Sequence, residues 1–490
     1  MFTSVSSIRC RLLTRAVQNL LPVCFALLAG CNVGPKYVRP AVVVPTAYKE
    51  LGSETSLWKQ SEPQDQTSRG EWWTTFKDPQ LSSLEQSLNG SNQSIAAAAA
   101  AVASARAIIR ESRSQYLPTI TGGASITNAR ISTFGPEKVG AVYSQFALPV
   151  EASWEPDLWG RVKNTVRANT YAAQAASADL ENVRLAAQAE LAVDYYELRA
   201  QDSMKQILDA TVRADKETLE LNRTLCDAGL GADEAVAQAE AQWQAAEAQD
   251  KNLGILRAQY EHAIAVLIGK PAAEFTLAAE APKAVLPAIP AGVPSQLLER
   301  RPDIAAAERA VAQANAQIGV AKAAYYPNLT LTASGGFQSL GLAQWLTWPS
   351  RVWSVGPALA ETLFDGGLRK ATVQQYQAAY DQTVANYRQT VLTAFQQVED
   401  NLAAVRILSE AMERQEAAMQ SAQRNLRDAT ARYSAGLDPY VNVLAAETAL
   451  FATEQAAVTY REQQMVAGVQ LIQALGGGWD SSASTAELRR

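Results

Sequence analysis

The stretch LRKATVQQYQAAYDQTVANYRQTVLTAFQQVEDNLAAVRILSEAMERQEAAMQSAQRNLRDATARYSA, residues 368–435, runs 68 residues without a glycine or a proline. These two residues punctuate helices, so the run predicts one unbroken helix, about 100 Å long at about 1.5 Å per residue. Within it Tyr380, Val384, Tyr387, Val391, Phe395, Val398, Leu402, Val405 and Met412 recur mostly three and four apart, as in a coiled-coil seam. Residues 161–228 form a second run of the same length, equally free of both residues. It carries Leu191, Tyr195 and Leu198, then Leu208, Val212 and Leu219, among alanines that allow close helix approach.

The two runs lie 207 residues apart, and so does their punctuation: Gly160 and Gly367, Gly229 and Gly436, Gly269 and Gly476. Ala228-Gly229-Leu230 matches Ala435-Gly436-Leu437, and Glu240 matches Glu447. Gln115-Tyr116-Leu117-Pro118 resembles Tyr325-Tyr326-Pro327. The chain reads as two copies of one unit. Each run stops at Ala-Gly-Leu, where glycine suits the left-handed residue after a helix. Further helical patterns follow at about 232–268 and 440–475, so each copy holds a long helical hairpin with its tip near 229 or 436. Shorter helices are expected at about 80–115, which includes the alanine run 96–101, and at about 303–325.

Between Pro118 and Trp154, and between Pro327 and Leu363, polar and apolar residues alternate, as in Thr119-Ile120-Thr121 and Asn328-Leu329-Thr330-Leu331-Thr332. These segments predict two β-hairpins, 118–155 and 327–363, with strands of about ten residues, the length a tilted membrane strand needs. Four strands cannot close a barrel, and hydrocarbon tolerates no unpaired edge. Either the strands form a small soluble sheet or several chains share one barrel. Trp345, Trp348 and Trp353 belong either to an interfacial aromatic belt or to packing inside a loop.

At the N-terminus Arg9, Arg11 and Arg15 precede the apolar segment Leu20–Ala29, too short to span a bilayer. Residues 1–30 read as a removable export signal. Leu28-Ala29-Gly30-Cys31 matches a bacterial lipobox, in which the Cys31 thiol carries diacylglycerol; the alternative is an ordinary signal with a chance cysteine. Two or more acyl chains suffice for stable anchoring. Cys10 and Cys24 would leave with the signal, so Cys226 stands alone and no intrachain disulfide is possible. Cys226 reads as a tolerated helix residue. The net charge of −6 becomes more negative once three arginines are removed. Such a chain suits neither nucleic acid nor attachment to a membrane by a basic patch. Nucleotide loops, Gly-x-Ser-x-Gly and metal-ligand clusters are absent from the sequence. The single histidine, His262, reads as packing or surface, and Glu234, Glu240 and Glu247 as a solvated face. The expectation is no enzyme, and no cofactor beyond the lipid on Cys31.

Five motifs occur in order along the chain: Cys31-x-Val33-Gly34-Pro35-x-Tyr37-x-x-Pro40; Trp72-Trp73-x-x-Phe76-x-Asp78-Pro79-x-Leu81; Arg301-Pro302-Asp303-Ile304; Phe364-Asp365-Gly366-Gly367; and Arg432-Tyr433-x-x-Gly436-Leu437-Asp438-x-Tyr440. On these the chain resembles the TolC-like outer-membrane factors, in the lipoprotein (NodT-type) branch serving RND-type tripartite efflux pumps. The resemblance implies an α+β membrane protein whose four strands per protomer become twelve in a homotrimer, forming one outer-membrane β-barrel. A long α-helical periplasmic barrel would continue it. The implied partners are a periplasmic adaptor (membrane fusion protein), an inner-membrane RND-type transporter and outer-membrane lipid. The implied organisation is a lipid-anchored segment 31–70, a first repeat 71–270, an equatorial linker 271–300, a second repeat 301–476 and a tail 477–490. Locally, Arg301-Pro302-Asp303 reads simply as a helix start, with proline at the first position and an acid for the dipole.

By the same resemblance the tips Gly229-Leu230 and Gly436-Leu437 would meet the adaptor, and a resting duct would close at the tips. The repeats differ there: Asp438 stands opposite Gly231, and Asn442 opposite Ala235. Three copies of Asp438 would form a ring near the axis, with Arg432 and Tyr433 pairing to neighbouring hairpins. Alternatively Asp438 caps the following helix. Two other readings remain at this stage: the outer-membrane component of type I protein secretion, and a structural coiled-coil lipoprotein that tethers the membrane.

Overall fold

The computed structural model describes residues 32–45, 47–51, 70–134, 140, 142–280, 286–287, 289 and 300–477. The export signal, Cys31, most of the equatorial linker and the tail beyond Gly477 lie outside the described residues.

Seven helices are described: α1 (Pro79–Ser91), α2 (Gln93–Ser114), α3 (Arg161–Asp227), α4 (Asp233–Leu267), α5 (Pro302–Ala323), α6 (Leu368–Ser434) and α7 (Val441–Ala474). Both glycine-free runs are single helices of 67 residues. Each ends as its sequence requires. Gly229 and Gly436 adopt φ of 72° and 71°, open to glycine without a Cβ penalty. Leu230 N donates to Leu225 O and Gly229 N to Cys226 O; Leu437 N and Gly436 N repeat the pattern on Arg432 O and Tyr433 O. These are twin Schellman closures.

The first short helix breaks where one continuous helix was expected. Asn92 is extended, and its Oδ1 accepts from Ile95 N at 3.0 Å while its Nδ2 donates to Leu267 O at 2.8 Å. An asparagine that offers the backbone other partners ends α1 and caps α2.

Two compact units partition the chain. One gathers the chain up to Ala41, Val102–Ala176 and Ala307–Tyr387. It holds an antiparallel sheet of β1 (Thr119–Gly122), β2 (Ser125–Arg130), β3 (Val142–Trp154), β4 (Asn328–Ser339) and β5 (Arg351–Ala360). β1 and β2 follow one register on β3, so they are one strand interrupted opposite Pro149. Proline has no N–H for the ladder; its carbonyl still accepts from Gly123 N at 3.0 Å. The four expected strands are therefore present, the first in two pieces. Gly336 lies against the same spot, where a Cβ would come within 2.2 Å of Leu148 O.

Residues paired directly across an antiparallel ladder share a face. One face collects Ile120 and Ile126, Phe146, Leu148, Val150 and Trp154, Leu329, Leu331 and Phe337, then Trp353, Val355 and Leu359. The other collects Thr119, Thr121 and Thr127, Gln145, Glu151 and Ser153, Thr330, Thr332, Ser334 and Gln338, and Ser354. Val355 and Leu359 are 72% and 70% exposed. An apolar face open on one side and a polar face on the other is a membrane-strand pattern.

The second unit gathers Val42–Ala101, Ser177–Ala306 and the chain from Arg388. Its core packs Trp72, Trp73 and Phe76, and Leu81, Leu84 and Leu88 of α1, against Leu191, Tyr195 and Leu198 of α3, with Ile264, Val469 and Ile472. Asp78 caps α1 through Gln80 N and Leu81 N, and its other oxygen accepts from Tyr195 Oη at 2.8 Å. Arg199, 1% exposed, donates to Asp202 and to Ala278 O, each at 2.7 Å. Arg257 binds the same Asp202 at 2.8 Å and Leu277 O at 2.6 Å. These charges clamp the segment after α4 onto the hairpin, each with partners that offset its burial.

Glu85 is fully buried and neither oxygen finds a partner among the described residues. Burial pushes its carboxyl up to about 9. The folded state thus holds a proton that the unfolded chain releases near 4.5, and stability should fall as pH rises from about 4.5 to about 9. Glu85→Gln should flatten that slope, leaving thermal stability near pH 4.5 unchanged and raising it at pH 8 by the order of a few kcal/mol. Thermal melts across pH 4.5–9 measure this; equal slopes in both proteins would contradict it.

Candidate functional site

Three places carry the residues that matter: the sheet just described, a strap formed by the first described residues, and the hairpin tips.

The strap belongs to the unit of the sheet. Asn32 Oδ1 accepts from Asn164 Nδ2 at 2.8 Å and from Gly34 N at 3.2 Å. Val33 N donates to Trp159 O at 3.4 Å, and Asn315 Nδ2 to Pro35 O at 3.1 Å. Tyr37 Oη donates to Glu308, and its ring lies 6.2 Å from Tyr171. Gly34 and Gly319 abut so closely that a Cβ on Gly34 would sit 2.9 Å from Gly319 Cα. On Gly319 a Cβ would meet Asn164 Nδ2 at 2.6 Å. Beside the strap, Trp159 stacks on Tyr326 at 4.8 Å and donates to Pro327 O at 2.7 Å. Asn32, which follows Cys31 in the chain, is thus held at the helix-joined end of β3 and β4. The motif that contains Gly34 and Tyr37 does not by itself reveal their seat. Gly319 was its signal: a glycine inside a helix costs about 1 kcal/mol and needs a packing reason.

At the tips the second unit builds a small core from Leu219, Ala239, Tyr440 and Val443, with Leu426, Tyr433 and Trp243 packed on it. Arg432 Nε donates to Asp438 Oδ2 at 2.6 Å and a terminal nitrogen to Oδ1 at 3.2 Å. The Arg432 guanidinium, with help from Asn442, holds the Asp438 carboxyl below its ordinary value. Asp438 does not cap α7: the N-cap residue is Tyr440, with no side-chain cap. Tyr433 Oη donates to Asn222 Oδ1 at 3.2 Å on α3, and its ring lies 5.4 Å from Tyr440. So Arg432 and Asp438 pair within one hairpin, and Tyr433 reaches the other. Gly229, Leu230, Gly436 and Leu437 project outward, the two leucines 80% and 71% exposed. Beneath them Asp215 of α3 is buried and Glu447 of α7 half-buried. Burial pushes Asp215 up to about 6, and burial plus the nearby Asp215 pushes Glu447 to about 7.

Among the described residues no group of acids, histidines and cysteines is arranged to hold a metal, and no helix is long and apolar enough to cross a membrane. His262 is exposed, and Cys226 is a free thiol. Trp345 packs on Phe146 at 5.6 Å, whereas Trp348 and Trp353 are exposed.

A family model described as outer membrane efflux protein matches residues 84–270 and 293–477. The probable efflux pump outer membrane protein SepC of Pseudomonas putida is 29% identical over 460 residues, covering 93% of this chain and 96% of that protein. The solvent efflux pump outer membrane protein SrpC, also of Pseudomonas putida, is 30% identical over 464 residues, covering 93% and 97%. The solved outer-membrane channel OprN superposes with a TM-score of 0.82 at 29% identity, covering 92% of this chain and all of that one.

The strap yields a direct test. Gly319→Leu should unseat residues 32–37 while the sheet and helices persist. Limited proteolysis should then cut near Tyr37 at least several-fold faster, with the circular dichroism spectrum unchanged. Unaltered cutting would mean that the strap is not held by this seat.

Proposed function

Because the chain belongs to the outer membrane efflux protein family and serves as the outer-membrane exit duct of an efflux pump, we propose that it works as a homotrimer anchored by lipid on Cys31. Its tips would engage a periplasmic adaptor, itself coupled to an inner-membrane RND-type transporter. The observation that carries this reading is the sheet, apolar on one face and polar on the other, with β5 and the β1–β2 strand as unpaired edges. Three copies would join edge to edge into one closed barrel of twelve strands, leaving no backbone group unpaired in lipid. A tethering lipoprotein would need neither face. A type I secretion duct shares the architecture, but the relatives are named for efflux, of solvents in one case. Small molecules such as drugs are therefore the proposed cargo. No catalysis and no cofactor is assigned, since a duct does no chemistry of its own.

The exposed Leu230 and Leu437 beside Gly229 and Gly436 support the tips as the adaptor surface. Their glycines have open space around them but positive φ, so bulky replacements would strain the closure and alter the docking face. Arg432, Tyr433, Asp438 and Asn442 would form the resting gate, through pairs that hold the second hairpin in shape and against the first.

Two measurements test the assembly. Native mass spectrometry of the detergent-solubilised protein should give a trimer, and its N-terminal peptide should begin at an acylated Cys31; a folded, membrane-inserted monomer would end the barrel reading. In planar bilayers Asp438→Ala should raise resting conductance and weaken cation preference. A loss of thermal stability with conductance and selectivity unchanged would make the Arg432–Asp438 pair a brace of the hairpin alone.

A further inference from the structure

At the loop-joined end of the sheet, Arg351 is the first residue of β5. It pairs directly with Phe337 and therefore stands on the apolar, membrane-directed face, two residues from Trp353. A guanidinium on that face is tolerated best at the interface, where headgroups lie. Arg351 is exposed and has no ion-pair partner among the described residues. Its carbon Cζ instead lies 3.6 Å above the centre of the Trp348 ring, a cation–π seat.

The loop builds that seat in advance. Ser350 Oγ and Thr347 Oγ1 donate to Gln344 O at 2.7 and 2.8 Å, and Ser350 N donates to Thr347 O at 3.0 Å. These bonds fix the turn that carries Trp348. Trp348 is 70% exposed and Trp353 79%, as interfacial aromatics are. Stacking occupies the guanidinium's face and leaves its edge donors for an acceptor that is planar or tetrahedral and anionic.

We propose that Arg351, held on Trp348, is a docking site for the phosphate of a lipid headgroup in the leaflet at the loop end of the barrel. The proposal rests on the outer-membrane reading. A phosphate there receives two parallel N–H bonds from the fork, while the acyl chains lie along Phe337 and Trp353. Unlike a diffuse attraction, this site depends on one cation and its aromatic platform.

The full-length protein in detergent, titrated with a bis-phosphorylated, acylated glucosamine lipid and with its dephosphorylated form, tests this by native mass spectrometry. The wild type should bind the phosphorylated lipid about ten-fold more tightly, the size expected for a charge-assisted contact. Arg351→Ala should abolish that preference, Trp348→Ala should reduce it, and Arg351→Lys should keep part of it. Arg130→Ala, which removes a rim cation at the end of β2, should leave it intact. Equal binding of the two lipids by the wild type would overturn the proposal, as would an undiminished preference in Arg351→Ala. An equal loss in Arg130→Ala would replace the site with general electrostatics, and full competition by millimolar inorganic phosphate would make the ligand a soluble anion. The variants should still insert in membranes; failure of the wild type to insert would instead strike at the duct reading itself.

Discussion

Inside hydrocarbon an unpaired backbone N–H or C=O costs several kcal/mol, because no water is there to replace the missing bond. The sheet of this chain has two such rows, along β5 and along the β1–β2 strand. That single constraint explains more of the molecule than any side chain does. It is why a sheet with an apolar outer face and a polar inner one makes sense only as part of a larger closed structure. It also explains why Pro149 and Gly336 sit within the ladder without harm: one gives up a donor next to Gly123, and the other lets β3 and β4 close on each other.

The helical part obeys the opposite economy. Its long helices satisfy their own backbones, so what remains to be specified is how neighbouring helices and segments are held. Here the chain uses buried polar groups with defined partners. Asp202 receives both Arg199 and Arg257, and Asp78 serves α1 and Tyr195 together. Glu85, Asp215 and Glu447 are different, for burial raises all three toward the neutral acid. A carboxylic acid kept neutral packs as a small polar group, with its charge withheld until pH rises.

The helices were legible because their signals are local and redundant. Two glycine-free runs, a shared 207-residue offset and the Ala-Gly-Leu stops each point the same way, and the twin closures at Gly229 and Gly436 follow from them. The strands were legible as alternation, but the interruption at Pro149 depends on which residue it faces across the ladder, which no single strand records. The break at Asn92 was hidden for a related reason: its side chain is satisfied by Leu267, 175 residues away. At the tips, Arg432 and Tyr433 are expected to pair to neighbouring hairpins; Tyr433 does reach the first hairpin of its own chain at Asn222, whereas Arg432 turns to Asp438 within its own hairpin. Arg432 and Asp438 lie six residues apart across a turn, and Tyr433 finds Asn222 across 211 residues. A partner as distant as Asn222 leaves no trace in spacing.

The seat of the strap has a consequence in time. Asn32 and Gly34 are among the earliest residues of the described chain, yet Asn164 and Gly319 complete their site. Gly34 cannot be fixed until 285 later residues have been delivered and two helices have met. Contacts so distant in sequence form late, since the loop they close must be ordered first. The seat of residues 32–37 is therefore among the last contacts to form. A chain whose N-terminal segment stays unseated for so long needs another means of keeping it at the membrane meanwhile, and a covalent lipid would serve that purpose before any tertiary contact exists.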